Sequence, residues 1–151
     1  MSLKEKLSQF ERIVPNCLKF NGASIAKIDF TNAMLKNNNL SEIPVEYQEF
    51  LKETNGFLLP PYEFYGTEVI ERKEYNYKYP NIVDINIPFV KNKNPLIEKR
   101  LVIGSVFFDI IIFDEIDKKF KIINRVNFEI IESFENFKQL LEYVNDTIKL
   151  G

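Results

Sequence analysis

The apolar run from Phe107 to Phe113 constrains the possible folds of this chain more than any other stretch. Nearly every position of FFDIIIF is apolar, which predicts a central strand covered on both faces. The run follows LVIGS and is followed by a polar EIDKK turn and by FKIIN. Short polar connections of this kind join antiparallel strands. In RVNFEII, Val126, Phe128 and Ile130 alternate with polar residues, which predicts one more half-buried strand.

Amphipathic segments predict helices before and after this sheet. At the N-terminus, Leu3, Leu7, Phe10 and Val14 recur at helical spacing and Pro15 follows them, so a surface helix should dock on the core. Helix is also favoured from Thr31 to Asn37. Ser133 is expected to cap a long C-terminal helix that packs on the sheet through one apolar stripe, made of Phe134, Phe137, Leu140, Leu141, Val144 and Ile148.

A short helix with clear boundaries is predicted in IPVEYQEFLKETNGF. Ser41 or Ile43 stands at its cap, and Pro44 falls in the first turn, where the missing N–H has no intrahelical partner. Asn55-Gly56 should end the helix, because glycine adopts the left-handed conformation of a helix C-terminus without a Cβ clash. By contrast, residues 82–95 are ambiguous, since Ile85, Ile87 and Phe89 alternate like a strand around Pro88.

Composition narrows the possible functions. A chain of 151 residues with 45% apolar content can bury a single core, so one domain over residues 1–151 is expected. Its one cysteine, Cys17, suggests a buried structural thiol, and no apolar run is long enough to cross a membrane. With 20 basic and 22 acidic residues there is no excess charge to hold nucleic acid. These features favour a cytoplasmic protein that binds neither membrane nor nucleic acid.

Histidine is missing from the sequence, which removes the commonest general base and the commonest catalytic metal ligand. We therefore expect that the protein is not an enzyme, that it has no catalytic or metal-binding residues, and that it binds no cofactor. Chemistry based on two facing carboxylates stays open as the least favoured alternative, because sequence spacing cannot show whether two acids share a cleft.

Aromatic residues are dense after Gly56, in a region rich in loop signals. Pro60-Pro61 should force an exposed bend, and the rings that follow have two interpretations. They cover the rim of the core, or they form a partner-binding surface, since tyrosine supplies a large contact area with few rotatable bonds. The candidate partner-binding residues are these tyrosines with nearby acids: Tyr62, Glu63, Tyr65, Glu68, Glu71, Tyr75, Tyr77, Tyr79 and Asp84.

Taken in order, these segments resemble the SUKH superfamily, which includes the fungal Smi and Knr cell-wall-assembly regulators and many bacterial immunity proteins. IPVEYQEFLKETNGF resembles its LPxxYxxFLxxxNG block, and FYG at Phe64 to Gly66 is similar to the entry into its first strand. LVIGSVFFDIIIFD resembles the family's stretch in which two aspartates follow an Ile-Gly pair, with Gly104, Asp109 and Asp114 matching, and NRVNFEIIESFENFKQLLEYV resembles the final strand and helix. The chain departs from the family at Val106-Phe107-Phe108, where members often carry small residues.

The resemblance implies a single SUKH-like domain of the α+β class. It would contain a mainly antiparallel sheet of about five to six strands, N-terminal helices and a long C-terminal helix. It also implies a non-enzymatic module whose partner is a protein, in bacteria a toxin domain that it neutralises, with the module a monomer or weak dimer. A regulatory scaffold for an endogenous partner is the alternative. For Asp109 and Asp114 we expect structural roles: Asp114 accepting N–H groups at a hairpin turn and Asp109 satisfying a backbone donor.

Overall fold

The computed structural model describes residues 1–91 and 98–150 and confirms the α+β class. The helices are α1 (Leu3–Ile13), α2 (Ile25–Asn37), α3 (Val45–Glu53), α4 (Ile82–Lys91) and α5 (Phe137–Leu150). The strands are β1 (Leu18–Lys19), β2 (Phe57–Leu59), β3 (Tyr62–Phe64), β4 (Ile70–Arg72), β5 (Tyr77–Tyr79), β6 (Arg100–Val106), β7 (Asp109–Asp114), β8 (Lys119–Asn124) and β9 (Ile130–Phe134).

In the described part of the chain, seven strands form one antiparallel sheet in the order β1-β2-β3-β6-β7-β8-β9. This is slightly larger than the predicted sheet. Strand β7 lies between β6 and β8, and the side chains from Ile110 to Phe113 are buried, which confirms a central strand covered on both faces. Phe107 and Phe108 are an exception to that prediction, because they form the exposed turn between β6 and β7.

One face of the sheet packs against α3 and α5 through a cluster of aromatic rings. Phe137 of α5 lies 5.1 Å from Phe50 of α3 and 5.3 Å from Phe120 of β8, measured between ring centroids. Phe64 of β3 joins the same cluster, 5.5 Å from Phe50. Edge-to-face and tilted contacts of this kind add to the stabilisation from burying the rings. From Phe137 onward the predicted stripe is the face that α5 turns to the core, with Leu140 and Val144 fully covered, whereas Phe134 belongs to β9 and not to the helix.

Helix α4 resolves the ambiguity over residues 82–91, and residues 92–95 lie outside the described residues. Asn81 caps the helix by accepting a hydrogen bond of 2.7 Å from the N–H of Asp84. The buried Asn86 side chain donates to the carbonyl oxygen of Val102 (2.9 Å) and accepts from its N–H (2.8 Å). Pro88 is tolerated inside the helix at an exposed position. Ile85, Ile87 and Phe89 are half-buried on this helix, and the polar Asn86 between the first two is fully buried.

Two predictions in the C-terminal half are wrong. Val126 is 88% exposed in a turn, where the Asn124 side chain accepts hydrogen bonds from the N–H groups of Val126 and Asn127. Phe128 is buried, but with a left-handed φ of 59° that no strand allows, so strand β9 begins later, at Ile130. The C-terminal helix is capped by Asn136, whose side chain accepts from the N–H of Gln139 at 2.9 Å. Ser133, the predicted cap, lies in β9 instead.

The N-terminal helices agree better with prediction. Helix α1 buries Leu7 and Phe10, and α2 includes the predicted Thr31–Asn37 but begins six residues earlier, at Ile25. The predicted cap of α3 is wrong, because Pro44 itself is the N-cap, in place of Ser41 or Ile43, and the first turn begins after it at Val45. Gly56 has the left-handed φ of 94° that was expected after the helix. Cys17 is half-buried and packs against the core, and burial raises the pKa of its thiol.

Candidate protein-binding surface

Strands β4 and β5 form a two-stranded antiparallel unit, separate from the main sheet, that we call the tyrosine hairpin (residues Ile70–Tyr79). Its turn is a short 3-10 segment, Lys73–Tyr75, followed by Asn76 with a left-handed φ of 51°. Asparagine tolerates this conformation better than most residues, so the chain can reverse there into β5. Because only Tyr77–Tyr79 is extended, Tyr75 does not follow the predicted alternation with the other two rings.

The tyrosine hairpin presents aromatic side chains to solvent in a defined arrangement. Tyr75 is 70% exposed and Tyr77 is 51% exposed. The Arg72 guanidinium carbon lies 4.9 Å from the centroid of the Tyr75 ring, a cation–π distance. The rings of Tyr77 and Tyr79 meet edge to face with centroids 4.7 Å apart. Arg72 thus contacts the Tyr75 ring and Tyr79 contacts the Tyr77 ring, while Tyr75 and Tyr77 both stay mainly exposed to solvent.

Both ends of the tyrosine hairpin are tied to the core. Asn55, which follows α3, accepts a hydrogen bond of 2.8 Å from the N–H of Thr67, and its amide donates to the Thr67 hydroxyl at 2.8 Å. Beyond β5, the N–H of Ile82 donates to the carbonyl oxygen of Gly66 at 2.9 Å. The segment before the hairpin and the segment after it are thus held close together, and this fixes where the hairpin leaves the protein.

Two of the four predicted acidic residues of this region, Glu68 and Glu71, form exposed ion pairs. Glu71 pairs with Lys78 across the hairpin at 3.2 Å, and Glu68 pairs with Lys27 of α2 at 2.6 Å. Glu74 pairs with Arg72 at 2.6 Å, and a backbone hydrogen bond together with Arg72 lowers the pKa of this carboxyl. The hairpin carries three basic and two acidic side chains, so its surface is not strongly acidic. Asp84 is exposed in the first turn of α4, directly after β5.

Two predicted contact residues are buried and so lie outside the exposed surface. Tyr62 is 3% exposed, and its hydroxyl shares a hydrogen bond of 2.6 Å with the Thr147 hydroxyl on α5. Tyr65 is 6% exposed and donates to the Ser105 hydroxyl at 3.2 Å. Glu63 lies between these two tyrosines in sequence, but on the other face of β3 from Tyr62 because side chains alternate along a strand. Its carboxylate accepts from Ser105 at 3.3 Å.

Glu63 connects the main sheet to the tyrosine hairpin electrostatically. Partial burial raises the pKa of Tyr79, and the negative charge of Glu63 adds to that effect. Burial likewise raises the pKa of Tyr65, although the hydrogen bond to Ser105 opposes it, with further contributions from Glu63, Arg125 and Tyr77. Of the nine predicted residues, Tyr77 and Tyr79 are in ring contact, and the hydroxyl of the buried Tyr65 lies 3.5 Å from the Glu63 carboxylate.

Asp114 has a larger structural role than the sequence predicted. Its carboxylate accepts from the N–H of Ile116 at the β7–β8 turn (3.0 Å), as expected. It also forms ion pairs with Lys121 (3.1 Å) and Arg100 (3.3 Å), and Asp117 adds a second carboxylate 2.6 Å from the Lys121 ammonium. Burial by itself lowers the pKa of Lys121, but hydrogen bonds to Asp117 and Asp114 outweigh it and raise the pKa. In the sequence, the position of Lys121 within the apolar segment FKIIN indicates such a buried ion pair.

Asp109 does not have the predicted role. Its side chain accepts no hydrogen bond from any residue in the described ranges 1–91 and 98–150, and it lines an open groove at the end of the sheet. The exposure of Phe107 and Phe108 was not predicted either, because FFDIIIF is apolar at nearly every position.

Within the described ranges, no three histidine, cysteine, aspartate or glutamate residues are arranged to hold a metal ion. None of the described helices combines the length and the apolar character needed to cross a membrane. No protein-family model and no curated protein sequence matches this chain.

Proposed function

We propose that this protein is a SUKH-like protein-binding module that neutralises a bacterial toxin domain by covering it, with the tyrosine hairpin as its contact surface. The observation that carries the proposal is the exposure of Tyr75 and Tyr77 on a hairpin whose two ends are anchored in the core. Exposed tyrosines on a rigid support are typical anchors of protein interfaces, because little conformational entropy is lost when they bind.

The arrangement of the motif residues supports the assignment to a SUKH-like module. Tyr47 and Phe50 of the LPxxYxxFLxxxNG-like block form the core of α3, and Asn55 of the same block holds Thr67 at the base of the tyrosine hairpin. The residues that resemble the family therefore build the support from which the candidate surface projects. This agrees with a structural role for the motif residues.

The proposed mechanism is steric and does not require catalysis by this chain. Tyr75, Tyr77 and Tyr79 would supply apolar contact area, while Arg72, Glu71 and Lys78 would form a polar rim. Since both charge signs are present, we expect complementary pairs with the partner and only modest long-range attraction. The protein would act in the cytoplasm of the cell that makes the toxin, as a monomer or weak dimer.

The test is a titration of the purified chain with the toxin domain encoded next to it in its native genome. Replacing both Tyr75 and Tyr77 by alanine should weaken binding by more than about tenfold, because exposed aromatic anchors contribute a large share of interface energy. Val45→Ala, at an equally exposed apolar position on α3, should leave the affinity unchanged.

Unchanged affinity in the double variant would reject the tyrosine hairpin as the contact surface. If no toxin gene lies near this gene and an endogenous protein copurifies with the chain, the regulatory-scaffold alternative would replace the immunity role.

A further inference from the structure

An apolar groove opens at the end of the sheet where the β2–β3 and β6–β7 turns meet α5. Its volume is about 600 Å³, within the range of ligand sites in proteins, about 300–1,000 Å³. Apolar side chains from several separate segments line it, among them Ile13, Pro61, Phe107, Ile122, Ile131 and Ile148. Phe107 is 77% exposed and Ile131 is 46% exposed, so apolar surface that faces water continues from the groove onto its rim.

Two polar groups in this groove have no hydrogen-bond partner among the residues described. The Tyr62 and Thr147 hydroxyls satisfy each other, but the Asp109 carboxylate and the Tyr143 hydroxyl do not bond to any described residue. Burial raises the pKa of Tyr143, and the charges of Glu132 and Asp109 raise it further. Glu132 and Asp109 therefore both place negative charge near the Tyr143 hydroxyl, and the nearby Arg125 side chain donates instead to the carbonyl oxygen of Phe108 at 3.3 Å.

The edge of the sheet next to the groove favours a polypeptide as the occupant. Strand β9 is last in the strand order and pairs on one side only, with β8. Proline and charged residues, lysine above all, commonly protect sheet edges from pairing with another chain; the sequence of β9, IIESF, has no proline or lysine and one charged residue, Glu132. Ile131 belongs both to this edge strand and to the groove lining. An extended segment could thus bury apolar side chains in the groove beside free backbone groups of β9.

We infer that this groove binds an extended apolar segment of a partner polypeptide that carries a lysine or arginine, whose charge pairs with Asp109. The groove beside the edge strand β9 favours an extended segment, its lining favours apolar side chains, and the Asp109 carboxylate favours a basic side chain. The groove lies on the face of the sheet that bears Tyr62, opposite the face where Glu63 approaches the tyrosine hairpin. It is a second interaction surface and does not depend on the proposed toxin.

The test selects ligands from a library of random 12-residue peptides displayed on phage, with the full-length protein as bait. Recovered peptides should combine apolar residues with a lysine or arginine. The best one, made synthetically, should bind about tenfold more weakly to Asp109→Asn, because a charge-assisted contact is lost. Ile131→Gln, at a partly exposed position of the lining, should also weaken it. Asp29→Asn, which changes an exposed aspartate on α2, is the matched control and should bind like the parent.

Three results would overturn the inference: no enriched peptide, enriched peptides without a basic residue, or equal affinity for the parent and Asp109→Asn. The variant with alanine at both Tyr75 and Tyr77 separates the two surfaces. It should bind the selected peptide normally, so loss of binding there would place the peptide on the tyrosine hairpin and reject the groove. An unchanged urea-unfolding midpoint for Asp109→Asn establishes that the variant is folded.

Discussion

The hydroxyl of Tyr47 on α3 donates a hydrogen bond of 2.5 Å to the carbonyl oxygen of Tyr65, just after β3. The same hydroxyl lies 3.1 Å from the carbonyl oxygen of Ile103 on β6. Tyr47 is fully buried, and burial raises the pKa of its hydroxyl well above the ordinary value. One side chain therefore ties a helix to the place where the chain leaves the sheet for the tyrosine hairpin.

Tyr47→Phe should lower the free energy of unfolding by about 1–3 kcal/mol, because buried carbonyl oxygens lose a donor while the ring still fills its site. Urea denaturation followed by circular dichroism measures this change. Tyr77→Phe removes a hydroxyl from an exposed ring and should leave stability unchanged. Equal midpoints for the parent protein and Tyr47→Phe would show that the buried hydrogen bond contributes little.

Lys121→Met should destabilise the protein by about 1.5–3 kcal/mol, since a buried carboxylate loses a charged hydrogen bond but keeps its ion pair with Arg100. The side chains of Lys121 and Asp114 are only 7% and 5% exposed. Lys119→Met is the matched control, because Lys119 pairs with Glu135 at the surface, where such pairs contribute about 1 kcal/mol or less. Similar unfolding free energies for the two variants would contradict a structural role for the buried pair.

Ionisation of the Asp117 carboxyl should make the free energy of unfolding depend on pH. Burial alone raises the pKa of its carboxyl, but the hydrogen bond from Lys121 lowers it below the ordinary 3.8. A carboxylate with a depressed pKa stabilises the fold fully above its unfolded value, and that contribution is lost as pH falls through the folded value.

The difference in unfolding free energy between the parent protein and Asp117→Asn should therefore shrink from pH 7 to pH 3. Because the Asp117 side chain is 39% exposed, the whole difference should be no more than about 1 kcal/mol. Urea titrations at both pH values measure it, with Asp29→Asn as the control. If the free-energy difference between the two proteins grew towards low pH, folding would raise the pKa of Asp117 and not lower it.

Replacing both Tyr75 and Tyr77 by alanine should change the free energy of unfolding by less than about 0.5 kcal/mol per site, as is usual for exposed positions. Thermal denaturation measures this. The same exchange at Tyr62, which is buried against Thr147, should cost about 3–5 kcal/mol, as large-to-small core substitutions do. A large loss of stability in the hairpin variant would favour the alternative in which these rings cover the core.

Patterns that depend on neighbours along the chain predicted the structure well. The continuous apolar run of β7, the helical stripe of α5 and the glycine after α3 were each readable because one segment's periodicity shows which side it buries. The same reasoning failed at Val126 and Phe128, where alternation continued into a turn that Asn124 stabilises. It also placed the cap of α5 at Ser133, since Ser133 and Asn136 are both acceptable capping residues.

By itself the sequence determined the fold class, the central strand and the helix that carries the family-like motif, because local propensity and hydrophobic periodicity are encoded residue by residue. Only the tertiary structure decided which aromatic rings reach solvent. Tyr62 and Tyr65 contact side chains 85 and 40 positions away, and no local pattern contains such contacts. Long-range packing also paired Asp114 with Lys121 and left Asp109 facing an open groove, although the sequence presents both aspartates in one strand.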